Sequence, residues 1–147
     1  MGRAFGEYLR MFEEKTGKPF RRNRGAKMFY YPERGFAEIG VDREHSIVVL
    51  FNVSGDGMFW RRIAEMMAEL LEIPCCGTIA LRGIKAYIRR YGYRVEHVEH
   101  TEEGMERYFC VGADGRKGTC SPAFLDEETG RWAYFITWEA RKCEIPV

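Results

Sequence analysis

The chain has 147 residues, of which 46% are hydrophobic and 31% are charged. This composition is typical of a globular domain and excludes a disordered chain. The formal net charge is only +1, which argues against wholesale wrapping of nucleic acid. The chain starts without an apolar signal segment, and no apolar run approaches the length of a membrane span. We therefore expect one cytoplasmic domain over residues 1–147, with no membrane partner.

The first third of the sequence predicts a helix and three strands. Hydrophobic periodicity predicts the helix over residues 3–15, and Gly17 ends it. Runs of β-forming residues predict strands at 27–31, 36–41 and 46–53. The last run is almost entirely apolar, so we expect that strand to be buried in the centre of a sheet.

The middle of the sequence predicts a helix, a strand and a second helix. The first of these helices is expected to run from about Met58 to Pro74. Its apolar stripe is predicted to consist of Ile63, Met66, Met67, Leu70 and Leu71. A short buried strand is predicted at 75–81, followed by a helix at 82–91 that Gly92 caps.

The last third of the sequence predicts antiparallel strands. Apolar and polar residues alternate over 93–99, which indicates a half-exposed strand. Further strands are predicted at 105–112, 117–124 and 131–139. The turns Asp114-Gly115 and Glu128-Thr129-Gly130 are hairpin signals between them. The fold class that we predict is α/β, a mixed central β-sheet flanked by helices, with a C-terminal antiparallel meander.

A glycine turn between strand 46–53 and the following helix is the most informative feature. Gly55 and Gly57 permit tight backbone conformations, and they let a phosphate approach the main chain closely. Free amides at the start of a helix also favour an anion. The turn is not a P-loop, because no Gly-Lys-Ser/Thr follows, and it lacks the third glycine of a dinucleotide fingerprint. Asp56, between the two glycines, is an alternative helix cap.

The same turn carries a resemblance to a known family. Asn52-Val53-Ser54-Gly55-Asp56-Gly57 is similar to the Gln/Arg-x-x-Gly-x-Gly/Ala pyrophosphate loop of the GNAT N-acetyltransferase superfamily, with Asn in place of Gln or Arg. Gly92-Tyr93 is similar to the Gly-Phe pair that ends a later helix in that family. The order of elements over residues 46–99 also resembles its CoA-binding half. The resemblance implies an acyl-CoA N-acyltransferase-like fold.

The resemblance also implies a ligand and a reaction. Acetyl-CoA would be the co-substrate, and its acetyl group would move to an unidentified amine. The pantetheine arm would lie along residues 51–53 and the pyrophosphate on the amides of 54–58, with Arg61 or Arg62 near the adenosine phosphates. The implied cofactor-binding residues are Phe51, Asn52, Val53, Ser54, Gly55, Asp56, Gly57, Met58, Arg61 and Arg62.

The resemblance places catalysis partly on the helix predicted at 82–91. In that family a Tyr of this helix protonates the departing thiolate. Ile88 occupies the family's usual position here, so Tyr87 and Tyr91 are the candidates. The identity of the general base is not determined. Three carboxylates upstream of strand 46–53 are candidates: Glu38, Asp42 and Glu44.

Two other functions are compatible with the sequence. The first is a non-enzymatic interaction module on the same scaffold, of the kind that phages or mobile elements encode. The second is a small nucleic-acid-binding protein, because residues 15–27 contain six basic side chains and no acidic one. The aromatic residues Phe29, Tyr30 and Tyr31 follow and would stack on bases. The low net charge favours instead a solvated basic loop followed by a core strand.

The histidines and cysteines do not predict a metal site. His97 and His100 are three residues apart on a predicted strand, so their imidazoles point to opposite sides. Adjacent Cys75 and Cys76 lack the two-residue spacer of a redox or zinc motif. We expect all five cysteines to be reduced and mostly buried: Cys75, Cys76, Cys110, Cys120 and Cys143. Cys110 and Cys120 flank a predicted hairpin turn and can lie close together.

Overall fold

The computed structural model describes residues 2–81 and 83–140. These residues form an α/β structure with three helices and eight strands. The helices are α1 (Phe5–Thr16), α2 (Gly57–Leu70) and α3 (Ile84–Arg90). The strands are β1 (Lys27–Tyr31), β2 (Gly35–Asp42), β3 (Ile47–Gly55), β4 (Cys75–Ala80), β5 (Arg94–His100), β6 (Glu106–Val111), β7 (Lys117–Asp126) and β8 (Arg131–Glu139).

The chain divides into two compact units, Met1–Cys76 and Gly77–Val147, with the boundary inside β4. Every helix and strand that the sequence predicts overlaps an element of the structure, so the α/β class is confirmed. Arg82, where the third helix was expected to begin, lies outside the described residues. That residues 1–147 act as a single domain stays a prediction.

Helix α1 anchors the first unit through an aromatic core. It ends at Gly17, whose φ of 74° is left-handed and whose amide donates to the carbonyl of Glu13, as expected for a glycine cap. Tyr8 and Phe12 on α1 pack with Phe36 of β2 in a buried cluster. The partly buried residues that surround this cluster are Phe5, Leu9, Met11, Phe20 and Met28.

The first unit is built on the antiparallel strands β1, β2 and β3, paired in that order. Successive residues of β1 show where the helices lie. Tyr30 packs edge-on against Phe5 of α1, with ring centroids 5.4 Å apart. Its neighbour Tyr31 stacks on Phe59 of α2, at 6.1 Å. Because successive strand residues point to opposite faces, α1 and α2 cover opposite faces of these strands.

The buried side of α2 differs from the predicted stripe. The buried residues are Trp60, Arg61, Ala64 and Ala68. Met66 and Leu70 are instead 58% and 82% exposed, so the prediction that they form the packed stripe is wrong. The small side chains of Ala64 and Ala68 allow the helix backbone to approach β3 closely. Met66 and Leu70 therefore face solvent.

The second unit contains the predicted antiparallel meander, in which β5, β6, β7 and β8 pair in sequence. Both predicted hairpin turns are present, and Gly115 and Gly130 have left-handed φ values of 86° and 71°. The register aligns Tyr108, Cys120 and Ile136 across three strands. All three are buried, so one face of the meander forms the core of this unit.

Two smaller features complete the second unit. Gly92 follows α3 with a left-handed φ of 69°, and the amide of Tyr93 donates to the carbonyl of Ile88, which confirms the predicted glycine cap. Strand β5 was expected to be half exposed. Every residue of β5 is exposed, so that expectation is wrong for its apolar positions, Val95 and Val98.

Candidate functional site

The candidate site is the junction between β3 and α2, where the strand passes directly into the helix. Gly55 ends β3 with a left-handed φ of 98°. A Cβ at this position would lie 2.5 Å from the carbonyl oxygen of Arg34, so steric contact as well as backbone conformation requires glycine. Asp56 caps the helix, because its carboxylate accepts a hydrogen bond from the amide of Phe59 at 3.0 Å.

Arg34, in the turn between β1 and β2, completes this junction. Its guanidinium forms an ion pair with Asp56 at 2.7 Å and lies over the ring of Phe59, 5.3 Å from its centroid. Its carbonyl oxygen accepts from the amide of Asp56 and from the indole of Trp60, at 2.8 and 2.9 Å. The hydrogen bond from the Phe59 amide is the largest cause of a lowered pKa at Asp56. Arg34 lowers this pKa further, and burial opposes both effects. The negative group at the start of α2 is therefore an ionised side chain of the protein.

A β-bulge lies just before the junction. Ala37 pairs with Val53 and Ile39 pairs with Leu50, so Phe51 and Asn52 of β3 stand opposite a single residue of β2. A bulge takes one residue out of the hydrogen-bonding ladder and bends its strand. Residues 51–53 are only partly buried. The segment at which the resemblance places pantetheine is thus irregular, and its residues are partly exposed.

The residue of β2 opposite the bulge is Glu38, whose side chain is fully buried. One carboxylate oxygen accepts from Arg22 Nε at 2.6 Å and from the amide of Asn23 at 3.0 Å. The other oxygen accepts from Asn52 Nδ2, which also donates to the carbonyl of Arg21 at 3.0 Å. This network fastens the basic loop after α1 onto β2 and β3.

The network changes the interpretation of the three candidate bases. Glu38 holds a salt bridge and two further hydrogen bonds, which suits an anchor more than a proton acceptor. Asp42 accepts hydrogen bonds from both the ring and the amide of His45, and these bonds lower its pKa. Glu44 is exposed in the turn after β2. Which group would serve as base stays a prediction.

The remaining predicted cofactor residues have different surroundings. Ser54 is buried and donates to the carbonyl of Tyr8 in α1. Gly57 and Met58 begin α2, and Met58 is 43% exposed. Arg61 is buried beside Glu65, with Nε 3.7 Å from the carboxylate, whereas Arg62 is exposed.

The predicted catalytic tyrosines lie on α3 and directly after it, in the second unit. The rings of Tyr87 and Tyr91 pack together with centroids 4.5 Å apart, and both side chains are partly exposed. The guanidinium of Arg90 lies 5.9 Å from the centroid of Tyr91. A catalytic role for either residue stays a prediction.

The basic and aromatic segment proposed for nucleic acid makes several contacts within the protein. Arg22 is held by Glu38. The hydroxyl of Tyr30 donates to the carbonyl of Arg3 at 2.6 Å, and Tyr31 stacks on Phe59. Two further exposed basic side chains, Arg21 and Arg24, lie on the loop that the network fastens, whereas exposed Lys15 and Lys27 lie on α1 and β1. These contacts favour a structural role for the aromatic residues over base stacking.

The thiols and imidazoles form no metal cluster within the described part of the chain. His97 and His100 lie on exposed β5. The described cysteines are free thiols, and Cys143 lies outside the described residues. Cys110 and Cys120 are adjacent and buried, and a hydrogen bond from Cys120 lowers the pKa of Cys110. Their predicted proximity is confirmed.

Sequence reasoning missed the role of Arg34 and the partners of Glu38. Arg34 is not among the residues that the sequence predicts for the site. Glu38 gave a usable signal, since it is the only charged residue in the run Phe36–Ala37–Glu38–Ile39–Gly40–Val41. A charge within such a run indicates a buried and paired side chain.

No protein-family profile matches this chain, and no curated protein matches it either. Among residues 2–81 and 83–140, the helices are all too short or too polar to cross a membrane.

Proposed function

We propose that the chain binds acetyl-CoA at the junction of β3 and α2 and transfers the acetyl group to an amine. The observation that carries this proposal is the bulge at Phe51 and Asn52, directly before the Gly55 turn into α2. A bulge presents backbone groups that do not follow the regular ladder. The amide groups of pantetheine would pair with those backbone groups.

The phosphates would bind one turn further along the chain. The amides of Gly57 and Met58 lie in the first turn of α2, where backbone donors and the helix dipole favour a negative group. Arg34 adds a cation. Its guanidinium has five N–H donors, and the ion pair with Asp56 is made through Nη1. Arg34 would bridge the carboxylate and a phosphate. Asp56 would weaken the binding by repulsion.

The proposed reaction is acyl transfer without a covalent enzyme intermediate. The neutral amine nitrogen attacks the thioester carbonyl carbon, a C–N bond forms and the C–S bond breaks. The amine loses a proton to a base or to water, and the thiolate of CoA gains one. Tyr87 or Tyr91 would supply that second proton, as the GNAT resemblance implies.

Isothermal titration with acetyl-CoA and with CoA tests the binding step. We expect both ligands to bind the native chain, and the variant Gly57→Val to lose affinity because the branched side chain covers the first-turn amides. Gly6→Ala is the matched control, since Gly6 lies in the first turn of α1 with no atom within 4 Å of an added Cβ. If no heat of binding is measured at millimolar ligand, the proposal is wrong.

A thiol-release assay tests the transfer step separately. Acetyl-CoA is incubated with a panel of amines, and free CoA thiol is measured with a chromogenic disulfide. Amine-dependent release that falls in the variant Tyr87→Phe or Tyr91→Phe would support the proposed acid. Binding without any amine-dependent release would leave a CoA-binding protein that is not a transferase.

A further inference from the structure

Two buried thiols are neighbours within the second unit. Cys110 of β6 is 3% exposed and Cys120 of β7 is 1% exposed. Both are reduced, and a hydrogen bond joins their side chains. We call these two residues the thiol pair. The acyl transfer proposed above does not use them.

The register of β6 and β7 determines how the two thiols meet. Cys110 pairs with Gly118, and Tyr108 pairs with Cys120. The two cysteines are thus diagonal neighbours on adjacent strands. Residues two apart on a strand point to the same face, so both thiols lie on one face of the meander. Because Gly118 has no side chain, β7 places no group directly across from Cys110.

We propose that the thiol pair is an oxidation site, at which a hydroperoxide converts Cys110 and Cys120 to a reversible disulfide. Cys110 attacks the hydroperoxide, and Cys120 resolves the product. The proposal is independent of acetyl-CoA binding, since it concerns two residues that the transfer reaction does not involve.

The two roles follow from the hydrogen bond between the thiols. The bond from Cys120 is the largest effect on the Cys110 thiol and lowers its pKa, while burial opposes this effect. The thiolate is the nucleophile in thiol oxidation, so Cys110 is the residue that attacks. Cys120 is already in contact with the sulfur that reacts, as a resolving thiol must be.

The reaction has two steps. In the first, the Cys110 thiolate attacks one oxygen of the hydroperoxide and the O–O bond breaks. A proton is taken up, and a sulfenic acid and an alcohol are formed, or water when the oxidant is hydrogen peroxide. In the second, the Cys120 sulfur attacks the sulfenic sulfur and the S–O bond breaks. The thiol proton leaves with the hydroxide as water, and the two sulfurs have given two electrons to the peroxide.

The diagonal placement makes the disulfide easy to reverse. Diagonal neighbours on adjacent strands have Cα atoms about 7–8 Å apart, at or beyond the limit of about 7 Å for a disulfide. The strands β6 and β7 must therefore shift when the bond closes. Strained disulfides are reduced more readily than relaxed ones, so we expect a reversible bond at this position.

Burial of the thiol pair selects the oxidant. Exchange with a bulky disulfide requires direct access to the sulfur, which the surrounding side chains deny. Hydrogen peroxide is small and needs only a brief local opening of the meander. The proposed oxidant is therefore a small hydroperoxide.

Treatment of the full chain with hydrogen peroxide, followed by mass spectrometry, tests the proposal. We expect peptide mapping to find Cys110 linked to Cys120 with the loss of two hydrogen atoms, and excess reduced glutathione to restore both thiols. The proposal is overturned if both thiols survive prolonged treatment, if either is found as sulfinic acid or linked to another cysteine, or if glutathione leaves the link intact.

Serine variants test the two roles, because serine keeps a hydrogen-bond donor at each position. After peroxide treatment, each variant is unfolded into dimedone, which labels sulfenic acid. Cys120→Ser has no resolving thiol, so Cys110 should be labelled. Cys110→Ser should show labelling of Cys120 that is several-fold weaker. Equal labelling would contradict the assignment of Cys110 as the attacking residue.

The matched control is Cys75→Ser, which removes a partly exposed thiol outside the thiol pair. It should form the link between Cys110 and Cys120 as the native chain does, and loss of the link in this variant would overturn the proposal. Circular dichroism shows whether each variant is folded. The mapping of the native chain requires no substitution and decides the proposal by itself.

Discussion

Asn52 of β3 and Glu38 of β2 join the β-bulge to the loop that follows α1. The amide of Asn52 donates to the buried carboxylate of Glu38 and to the carbonyl of Arg21. Glu38 in turn holds Arg22 and the amide of Asn23. The bulge and the basic loop therefore depend on one carboxylate.

The first prediction concerns that carboxylate. Glu38→Gln keeps the volume of the side chain but replaces an acceptor with a donor, so one of its three partners is left without an acceptor. We expect the free energy of unfolding to fall by about 1–3 kcal/mol. Urea denaturation of the native chain and the variant measures the difference.

The control for this substitution is Glu44→Gln. Glu44 is exposed, and an exposed change of this kind usually alters stability by less than about 0.5 kcal/mol. Similar effects of the two variants would show that the Glu38 network contributes nothing beyond a surface charge.

The second prediction separates steric contact from backbone strain at glycine. Gly35 has a φ of 102°, and a Cβ there would lie 1.9 Å from the carbonyl oxygen of Ser54. Gly130 has a φ of 71° with no atom within 4 Å of an added Cβ. Gly130→Ala should therefore lower the free energy of unfolding by about 1 kcal/mol, which is the cost of the left-handed conformation alone. Gly35→Ala should cost more than about 2 kcal/mol, because β2 and β3 must move apart.

Thermal and urea unfolding of both glycine variants measure these costs. The order of the two values is the test, since both variants add the same methyl group at a positive φ. Equal losses would mean that the close approach of the turn to Ser54 is absent in solution.

The third prediction is the pH dependence of the cap on α2. The pKa of Asp56 is lowered in the folded chain from a reference of 3.8, so its contribution to stability is present above that reference. The contribution is lost as pH falls through the lower folded-state pKa. Asp56→Asn keeps a capping side chain but has no charge.

The native chain should therefore exceed Asp56→Asn in stability near pH 7, and the difference should shrink as the solution becomes acidic. Urea denaturation of both chains over this range gives the difference at each pH. A difference that grows in acid would contradict the ion pair with Arg34.

The sequence predicted elements whose signals are local. The spacing of Phe5, Tyr8 and Phe12 defines α1, and Gly17 ends it, because the helix period and the left-handed cap involve neighbouring residues only. The hairpin turns at Gly115 and Gly130 were predictable for the same reason.

Other features depend on contacts between distant residues, and the sequence does not reveal them. Glu38 meets residues 14 to 16 positions away, and nothing in the apolar run of β3 marks the bulge. The packed side of α2 was mispredicted because hydrophobicity favours Met66 and Leu70, whereas close contact with β3 favours Ala64 and Ala68. The Arg34–Asp56 pair likewise spans two turns that only the fold brings together.

The last prediction uses that pair to test the proposed acetyl-CoA site. Arg34→Gln removes a cation from the junction, while Asp56→Asn removes an anion and retains the cap. If phosphates bind at the start of α2, the first change should weaken acetyl-CoA binding and the second should strengthen it, each by several-fold. Isothermal titration at fixed ionic strength measures both affinities, and circular dichroism confirms that each variant is folded. Both variants lose the same ion pair. If both affinities shift in the same direction, the effect comes from a change in local stability, and the proposal that phosphate binds at this junction is wrong.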